Sequence, residues 1–244
     1  MKTILAYPLS VIYYFFFSFF LLVFHPIQWI CLKIGGSKLH WKSIIALNFC
    51  LTRCLYILGS RITFINKQNL QKGQSYIFVS NHQDIHDITG ITWYLRKFYP
   101  RFVSKKELGK GIPSVSFNLK YGNNALIDRK NPKQALPELK RFGKVVEDNK
   151  FSAVIFPEGT RSKTGKVKRF SENGVKMLTR FIPSAQIVPI SINNNWKLTK
   201  NGNFPLEIGV HFKFEVHEPM DPKSGSFEEI FEKTELTVKN SVTL

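Results

Sequence analysis

The sequence predicts an α/β fold, with a mixed, mostly parallel sheet covered by helices and preceded by an N-terminal hydrophobic helical hairpin. Short apolar runs alternate with helix-like stretches after residue 60, and several of these runs are apolar throughout, as expected of strands buried on both faces. The first 60 residues instead contain two long apolar segments separated by Gly35 and Gly36. We therefore expect two units, a hydrophobic hairpin at 1–60 and an α/β domain at 61–244.

The first apolar segment is suited to a membrane. No Asp, Glu, Lys or Arg occurs between Thr3 and Leu32, and Ile4 to Phe24 supplies the roughly 20 apolar residues that a helix needs to cross the hydrocarbon. The segment is too long for the apolar part of a cleaved signal peptide, and no small-residue cleavage site follows it. We expect residues 1–60 to act as a retained membrane anchor.

The second apolar segment, Ser43 to Gly59, carries Arg53 at its middle. An arginine at the centre of a bilayer is costly. This favours a hairpin that dips into one leaflet or lies along it, with Trp29 and Trp41 near the interface. Two full spans remain open, and so does a second helix that only docks on the following domain.

The charge of the chain predicts a polyanionic partner. Lys and Arg total 35 against 17 Asp and Glu, a formal net charge of +18, which suits nucleic acid, an anionic membrane or a phosphorylated substrate. Nucleic acid is the least favoured, because no stacking or helix-turn-helix signature accompanies the charge. No acid precedes Asp84, and the three cysteines form no disulfide framework. We expect a membrane location with the α/β domain facing the cytoplasm.

Seven apolar runs after residue 60 predict strands. They cover residues 62–65, 76–80, 101–104, 125–128, 152–157, 186–192 and 208–216. Helix-like stretches between and after them cover residues 88–97, 132–148, 173–181 and 227–238. Pro137 should break or restart the second of these helices, and Ser226 with Glu229 resembles a capping box for the last.

The stretch "NHQDIHD" follows the second predicted strand, where reactive groups of open α/β sheets tend to lie. A turn feeding a helix could bring His82 and Asp87 together, so that Asp87 accepts from one imidazole nitrogen and leaves the other free as a base. His82 and His86 also have the spacing of zinc-binding helices, with Asp84 or Asp87 as a further ligand. From these residues alone a dyad, a metal site and a capping or solvated turn all stay open.

The stretch "FPEGTRS" ends the fifth predicted strand in a turn suited to an anion. Gly159 lets backbone N–H groups face the anion, Thr160 adds a hydroxyl, and Arg161 adds a bidentate fork. Arg129, after the fourth strand, is a further phosphate candidate. The basic residues that follow Arg161 can also be a solvated loop, and the P-loop motif that would support nucleotide hydrolysis is absent from the sequence.

Together these stretches resemble the glycerolipid acyltransferase superfamily, whose best-known members are the 1-acylglycerol-3-phosphate (lysophosphatidate) acyltransferases. "NHQDIHD" is similar to its N-H-x(4)-D block and "FPEGTRS" to its F-P-E-G-T-R-S block, while "GNNALIDR", "VSKKELGKGIP" and "IVPISI" resemble three lesser blocks. The likeness runs from about Ile62 to Ile192, and the hairpin is similar to that of bacterial members. Two positions differ from the family pattern. Asp84 stands where many members have a small polar residue, and Asn124-Ala125-Leu126 within "GNNALIDR" is only a loose version of the family's second block.

The resemblance implies a division of roles within the site. His82 would be the general base that removes the proton from a glycerol hydroxyl, and Asp87 would orient it, so that the hydroxyl attacks an acyl thioester without any protein nucleophile. Glu158 would orient Arg161 or the glycerol. The implied substrate-binding residues are Lys105, Arg129, Glu158, Gly159, Thr160 and Arg161.

The resemblance also implies the partners. The co-substrate would be acyl-CoA or acyl-carrier protein, with no cofactor and no metal, and membrane lipids would be the surroundings. Lysophosphatidate is the default acceptor, giving phosphatidate, while glycerol 3-phosphate, another lysophospholipid and a lyso-aminolipid stay open. A basic lipid-binding membrane protein without catalysis and a metal-dependent hydrolase are the alternatives from other classes. The sequence predicts no oligomeric state.

Overall fold

A seven-stranded sheet forms the centre of the protein. The computed structural model describes residues 2–243 of the chain. The strands are β1 (Arg61–Asn66), β2 (Tyr76–Ser80), β3 (Pro100–Lys105), β4 (Ala125–Ile127), β5 (Ser152–Ile155), β6 (Gln186–Asn193) and β7 (His211–Val216). Their order is β1-β7-β6-β2-β5-β3-β4, and within this part of the chain only the β6–β7 pair is antiparallel. The predicted mixed, mostly parallel sheet is confirmed.

Helices cover both faces of the sheet. Over residues 2–243 they are α1 (Lys2–Cys54), α2 (His86–Tyr94), α3 (Val115–Tyr121), α4 (Pro132–Asn149), α5 (Glu172–Phe181) and α6 (Phe227–Ser241). In β2, Tyr76 and Phe78 belong to a core cluster shared with α1 and α2, whereas Ile77 and Val79 belong to a cluster shared with α4, α5 and α6. The strand is apolar throughout because both of its faces are buried.

The N-terminal helix folds back on itself. Gly36 has φ 59° and ψ −155°, which interrupts α1 and divides it into a first segment (residues 2–35) and a second segment (residues 37–54). Leu21 of the first segment packs with Leu47 and Leu51 of the second. The predicted hairpin is therefore present in the structure, whereas its role as an anchor and the domain boundary near residue 60 stay predictions.

The first segment of α1 has two different faces. Its inner face packs on the α/β domain through Tyr13, which is 2% exposed, and Phe17. Its outer face is apolar and exposed, and consists of Ile4, Leu5, Val11, Ile12, Phe15, Phe16, Phe19, Leu22 and Val23. The stretch Ile4–Leu58 is long and apolar enough to cross a membrane, by length and composition. A large apolar surface of this kind marks a contact with lipid or protein.

One expectation about the helices was wrong, and one helix was not predicted. Helix α4 runs unbroken through Pro137, because burial of Leu139, Phe142 and Val146 on its apolar face offsets the single hydrogen bond that the proline removes. The short helix α3 was missed, because seven residues give too little periodicity to be recognised. The capping box predicted at Ser226 and Glu229 is present at the start of α6.

Candidate active site

Four parallel strands bring the predicted site residues to one edge of the sheet. Strands β2 and β5 are neighbours, as are β5 and β3, and β3 and β4, and all run in the same direction. The segments that follow their carboxyl ends therefore meet. They line one cleft of about 750 Å³, whose walls include His82, Lys105, Arg129, Gly159, Thr160 and Arg161. The predicted substrate-binding residues other than Glu158 thus share a cleft with His82.

The histidine and aspartate of "NHQDIHD" form a hydrogen-bonded pair. His82 Nδ1 lies 2.8 Å from Asp87 Oδ2, and the side chains are 16% and 0% exposed. The same oxygen accepts from the backbone N–H groups of Gln83 (2.6 Å) and Asp84 (2.9 Å). A carboxylate oxygen surrounded by donors assigns the imidazole proton to Nδ1 and leaves Nε2 as a proton acceptor. The arrangement is that of a general base oriented by an acid.

The local chain path explains this pairing. On a continuous helix, His82 and Asp87 would point to different sides, but α2 begins only at His86 and the preceding residues form a turn. Asp87 therefore lies in the first turn of the helix, where free backbone N–H groups favour a carboxylate. Asn81 fixes the start of the turn, since its amide exchanges two hydrogen bonds of 2.8 Å with the backbone of Ile192 in β6.

Glu158 connects the segment of His82 to that of Lys168 through the backbone. Its Oε1 accepts from His82 N at 2.8 Å, and its Oε2 accepts from Lys168 N at 3.1 Å. The backbone N–H of Ser162 donates to the His82 carbonyl at 2.7 Å. Burial raises the pKa of Glu158 to about 7, against the opposing effect of these hydrogen bonds. Glu158 thus contacts the backbone of His82 rather than the Arg161 guanidinium, and its predicted contact with substrate stays a prediction.

The segment 159–168, hereafter the basic loop, is held by Arg129 and by its own Lys168. Arg129 donates to the Gly159 carbonyl. Lys168 Nζ donates to Thr160 Oγ1 and to the Arg161 carbonyl, both at 2.9 Å. Because the Thr160 oxygen accepts from Lys168, its own proton is free to be donated to a ligand. The loop therefore presents cations and a hydroxyl donor to the cleft, as an anionic ligand requires.

His86 does not complete a metal pair with His82. Its imidazole is buried, with Nε2 2.6 Å from the Tyr13 hydroxyl of α1 and Nδ1 3.3 Å from Thr89 Oγ1. Burial lowers the pKa of His86 to about 4. Asp84 accepts from the His86 backbone N–H at 3.0 Å, and burial, reinforced by Asp87, raises the pKa of Asp84 to about 7. His86 thus faces α1, and Asp84 bonds within the turn.

Asn195 is a site residue that the sequence reading missed. It is fully buried, and its Nδ2 donates to Asp87 Oδ1 at 2.6 Å, so both oxygens of that carboxylate are engaged. Its neighbour Trp196 donates its backbone N–H to Gln83 Oε1 at 3.4 Å. The topology indicates Asn195 as a site residue, because it follows β6, a parallel neighbour of β2, and should therefore lie at the same sheet edge.

Known proteins match this fold and these residues. The Acyltransferase family model matches residues 61–193. A 1-acyl-sn-glycerol-3-phosphate acyltransferase of Cocos nucifera is 31% identical over 159 residues, which is 65% of this chain and 50% of that protein. A protein of the same name from Helicobacter pylori (strain J99) is 33% identical over 147 residues, 57% of this chain and 58% of that protein. The chain thus spans about half the length of the curated relatives that it matches.

A solved structure extends the likeness to the hairpin. The crystal structure of the 1-acyl-sn-glycerophosphate (LPA) acyltransferase PlsC from Thermotoga maritima superposes with a TM-score of 0.81 at 26% identity, and covers 98% of this chain and 95% of that one. The matched family region begins with β1, ends with β6 and contains both the His82–Asp87 pair and the basic loop. This chain belongs to the Acyltransferase family.

Proposed function

We propose that this protein is a membrane-associated O-acyltransferase that moves a fatty acyl chain from acyl-CoA or acyl-carrier protein to the free hydroxyl of lysophosphatidate, giving phosphatidate. The observation that carries the proposal is the His82–Asp87 pair at the wall of a cleft rich in cations. The names of the relatives support the acceptor, since each denotes a 1-acyl-sn-glycerol-3-phosphate acyltransferase.

The reaction needs a base but no protein nucleophile. The hydroxyl oxygen of the acceptor attacks the thioester carbonyl carbon while His82 Nε2 takes the hydroxyl proton. Asp87 stabilises the resulting imidazolium through Nδ1, at 2.8 Å. The C–S bond of the tetrahedral intermediate then breaks, and the leaving sulfur takes the proton from Nε2, so that ester and thiol are released. A positioned base contributes about 10² to 10⁴ in rate.

The remaining cleft residues bind the charged end of the acceptor. Arg161 and Arg129 supply guanidinium forks for the phosphate, and Thr160 and the backbone at Gly159 supply neutral donors. Lys105 lines the cleft at the end of β3 and supplies a third cation, which can serve the phosphate or the developing oxyanion of the thioester. Glu158 holds the backbone of His82 and that of the basic loop together, because its carboxylate accepts a hydrogen bond from each.

The inner face of α1 favours one mode of membrane association. Ser10 and Tyr13 are buried against the α/β domain, within the stretch that a span would place in the hydrocarbon. An α/β domain with a polar surface does not follow a helix into lipid. We infer that α1 lies along one leaflet, with its exposed apolar face in lipid and the basic α/β domain on the cytoplasmic side, against anionic headgroups.

The proposal predicts that His82→Ala abolishes acyl transfer and leaves membrane binding intact. The assay incubates membranes that contain the full-length protein with labelled acyl-CoA and a panel of lysolipids and glycerol 3-phosphate, and product is measured for each acceptor. Transfer above background should be lost because the hydroxyl proton has no acceptor, a deficit of about 10² or more. Vesicle binding should match that of the unmodified protein.

The matched control is His217→Ala. His217 follows β7 and bonds Ser191 Oγ at 2.9 Å, away from the residues that line the cleft. It should retain transfer. Full transfer by His82→Ala would overturn the mechanism, and lysophosphatidate binding without thioester consumption by the unmodified protein would instead indicate a non-catalytic lipid-binding protein.

A further inference from the structure

The first segment of α1 carries polar side chains on its inner face. Ser10, Tyr13 and Tyr14 lie within two turns of this largely apolar helix, and each makes a hydrogen bond to the α/β domain. A polar group in an apolar surrounding is costly unless it is paired, and simple anchoring in lipid requires none. These residues therefore indicate a second role for the helix.

Tyr13 forms the first of these contacts. Its hydroxyl lies 2.6 Å from His86 Nε2, and both side chains are buried, with Phe17 of α1 and Phe212 of β7 packed edge-on against the imidazole. Thr89 Oγ1 donates to the His86 carbonyl, so it accepts from His86 Nδ1–H. The neutral imidazole then accepts the Tyr13 proton at Nε2. The hydroxyl is thus the specific partner of this ring.

His86 transmits this contact to the catalytic turn. Its backbone N–H donates to Asp84 Oδ1 at 3.0 Å, and the Asp84 backbone N–H donates in turn to Asp87 Oδ2 at 2.9 Å. Asp87 is the residue that orients His82. Hydrogen bonds linked through His86, Asp84 and Asp87 therefore connect α1 to the proposed general base.

The other two polar side chains contact the segment 199–206, part of which lines the cleft. Tyr14 donates to the Asn203 carbonyl, and Ser10 Oγ accepts from the Leu206 backbone N–H at 2.9 Å. Asn203 lines the cleft together with Gly202 and Lys200. The segment 199–206 lies between β6 and β7 and contains turns but no strand. Its position at the cleft thus depends on side-chain bonds to α1.

We propose that the first segment of α1 is part of the catalytic scaffold, with Tyr13 positioning the catalytic turn through His86 and Tyr14 positioning the cleft wall through Asn203. This inference rests on the proposed function. The same helix presents its outer face to lipid, so the position of the anchor in the membrane and the geometry of the cleft are set by one rigid element. Both tyrosines are positioning residues, because neither lines the cleft.

Substitution by phenylalanine tests the two contacts separately. Tyr13→Phe leaves His86 Nε2 buried without its donor and loosens the turn that orients the base, so kcat should fall about tenfold with little change in KM. Tyr14→Phe releases the cleft wall, so KM for the acceptor should rise severalfold with little change in kcat. Both variants keep their rings, and binding to vesicles should be unchanged.

Tyr56→Phe is the matched control. It also removes a tyrosine hydroxyl of the hairpin region, but this one accepts a hydrogen bond from Arg53 at an exposed position and, within the part of the chain that the structure describes, makes no contact with the catalytic turn or the cleft. Its kcat and KM should equal those of the unmodified protein. If Tyr13→Phe and Tyr14→Phe behave like this control while the unmodified protein transfers acyl chains and His82→Ala does not, the positioning role is wrong and the proposed function stands.

A double substitution separates positioning from general packing. If Tyr13 acts through His86, adding Tyr13→Phe to His86→Leu should lower kcat no further, because the bond is already absent. If Tyr13 only stabilises helix packing, the two losses should add, and the proposal fails. Thermal unfolding midpoints are measured on the unmodified protein, the two single variants and the double variant. They show whether a lowered kcat belongs to the folded protein or results from unfolding.

Discussion

Among single residues, Asp84 has the least usual environment for its charge. Its carboxyl is 2% exposed, lies close to the Asp87 carboxylate, and has a pKa raised to about 7 from an ordinary value of 3.8. Burial is the larger cause, and Asp87 adds to it. Between these two values the folded protein retains a proton that the unfolded chain releases. The contribution of Asp84 to stability is therefore complete below about pH 4 and is lost as the pH rises through about 7.

Asp84→Asn should remove this pH dependence. Asparagine keeps the oxygen that accepts from the His86 N–H and is neutral at every pH. The free energy of unfolding of the variant, relative to that of the unmodified protein, should rise steadily between pH 5 and 7, at about 1.4 kcal/mol per pH unit, and then level off, and the difference in unfolding midpoint should follow it. Thermal unfolding in detergent micelles at several pH values measures this difference.

Asp221→Asn serves as the comparison for Asp84→Asn. Asp221 is an exposed carboxylate in a turn, where its Oδ1 accepts from the Lys223 N–H. Its substitution should change the midpoint by a constant amount over the same range. Parallel pH profiles for Asp84→Asn and the unmodified protein would show that Asp84 is ionised throughout, contrary to the effect of its burial.

At the scale of elements, the sequence was most informative where a polar stretch directly follows a predicted strand. The apolar runs at β2 and β5 indicated buried parallel strands, and the polar stretches after them had to meet because neighbouring parallel strands end at one edge. Their place after strands marked both stretches as candidate sites, and the family resemblance then favoured His82 and Asp87 as the catalytic pair. Asn195 was missed because no motif surrounds it, and its role depends on the position of β6 beside β2.

Contacts of α1 were not predictable from its composition. A run of apolar and aromatic residues predicts a helix that is buried in lipid or in a protein core. It does not predict which face of the helix packs on protein. Tyr13 and Tyr14 are adjacent in the sequence and yet contact different parts of the α/β domain, His86 at the start of α2 and Asn203 at the cleft. Only the packing of the hairpin on β6, β7 and α2 distinguishes their roles from those of the exposed aromatic residues nearby.

The basic loop and the segment after β6 are coupled by a close contact. Gly165 has φ +80°, and a Cβ added there would lie 2.7 Å from Cδ1 of Trp196. Gly165→Ala should therefore displace the loop that carries Arg161, and KM for the phosphorylated acceptor should rise about tenfold while vesicle binding stays the same. Steady-state kinetics with lysophosphatidate as the varied substrate measure the effect.

Gly73→Ala isolates the cost of the backbone from that of the contact. Gly73 has φ +79°, and a Cβ there would meet nothing within 4 Å among the residues that the structure describes. Both variants place an L-residue in the left-handed region, at a cost of about 1 kcal/mol. Equal KM values for Gly165→Ala and Gly73→Ala would mean that the contact with Trp196 does not position the basic loop.

For the whole molecule, the outer apolar face of α1 and the net charge of +18 both suit the proposed binding to an anionic membrane. In the proposed membrane association, the outer apolar face would supply hydrophobic binding energy and the basic domain would add attraction to anionic headgroups. Phe15 and Phe19 stack on that face with ring centroids 6.3 Å apart and are 64% and 45% exposed. They are the clearest candidates for residues that enter lipid.

The double substitution Phe15→Ser and Phe19→Ser should weaken membrane binding without unfolding the domain. Each phenylalanine that leaves lipid costs about 1.5 kcal/mol, so the two together should lower the partition coefficient roughly 100-fold. Sedimentation with vesicles of mixed neutral and anionic lipid measures this. Leu236→Ser, at an exposed apolar position of α6, is the matched control and should bind as before.

The same variant distinguishes an in-plane helix from a span. A helix that lies along one leaflet holds to lipid by its outer face alone, so the double variant should be released from membranes by alkaline carbonate. A helix that crosses the bilayer keeps enough apolar residues after two substitutions to remain inserted, and carbonate would not extract it. Resistance to extraction would therefore contradict the in-plane placement, and it would require the Ser10 and Tyr13 contacts with the α/β domain to separate in the membrane.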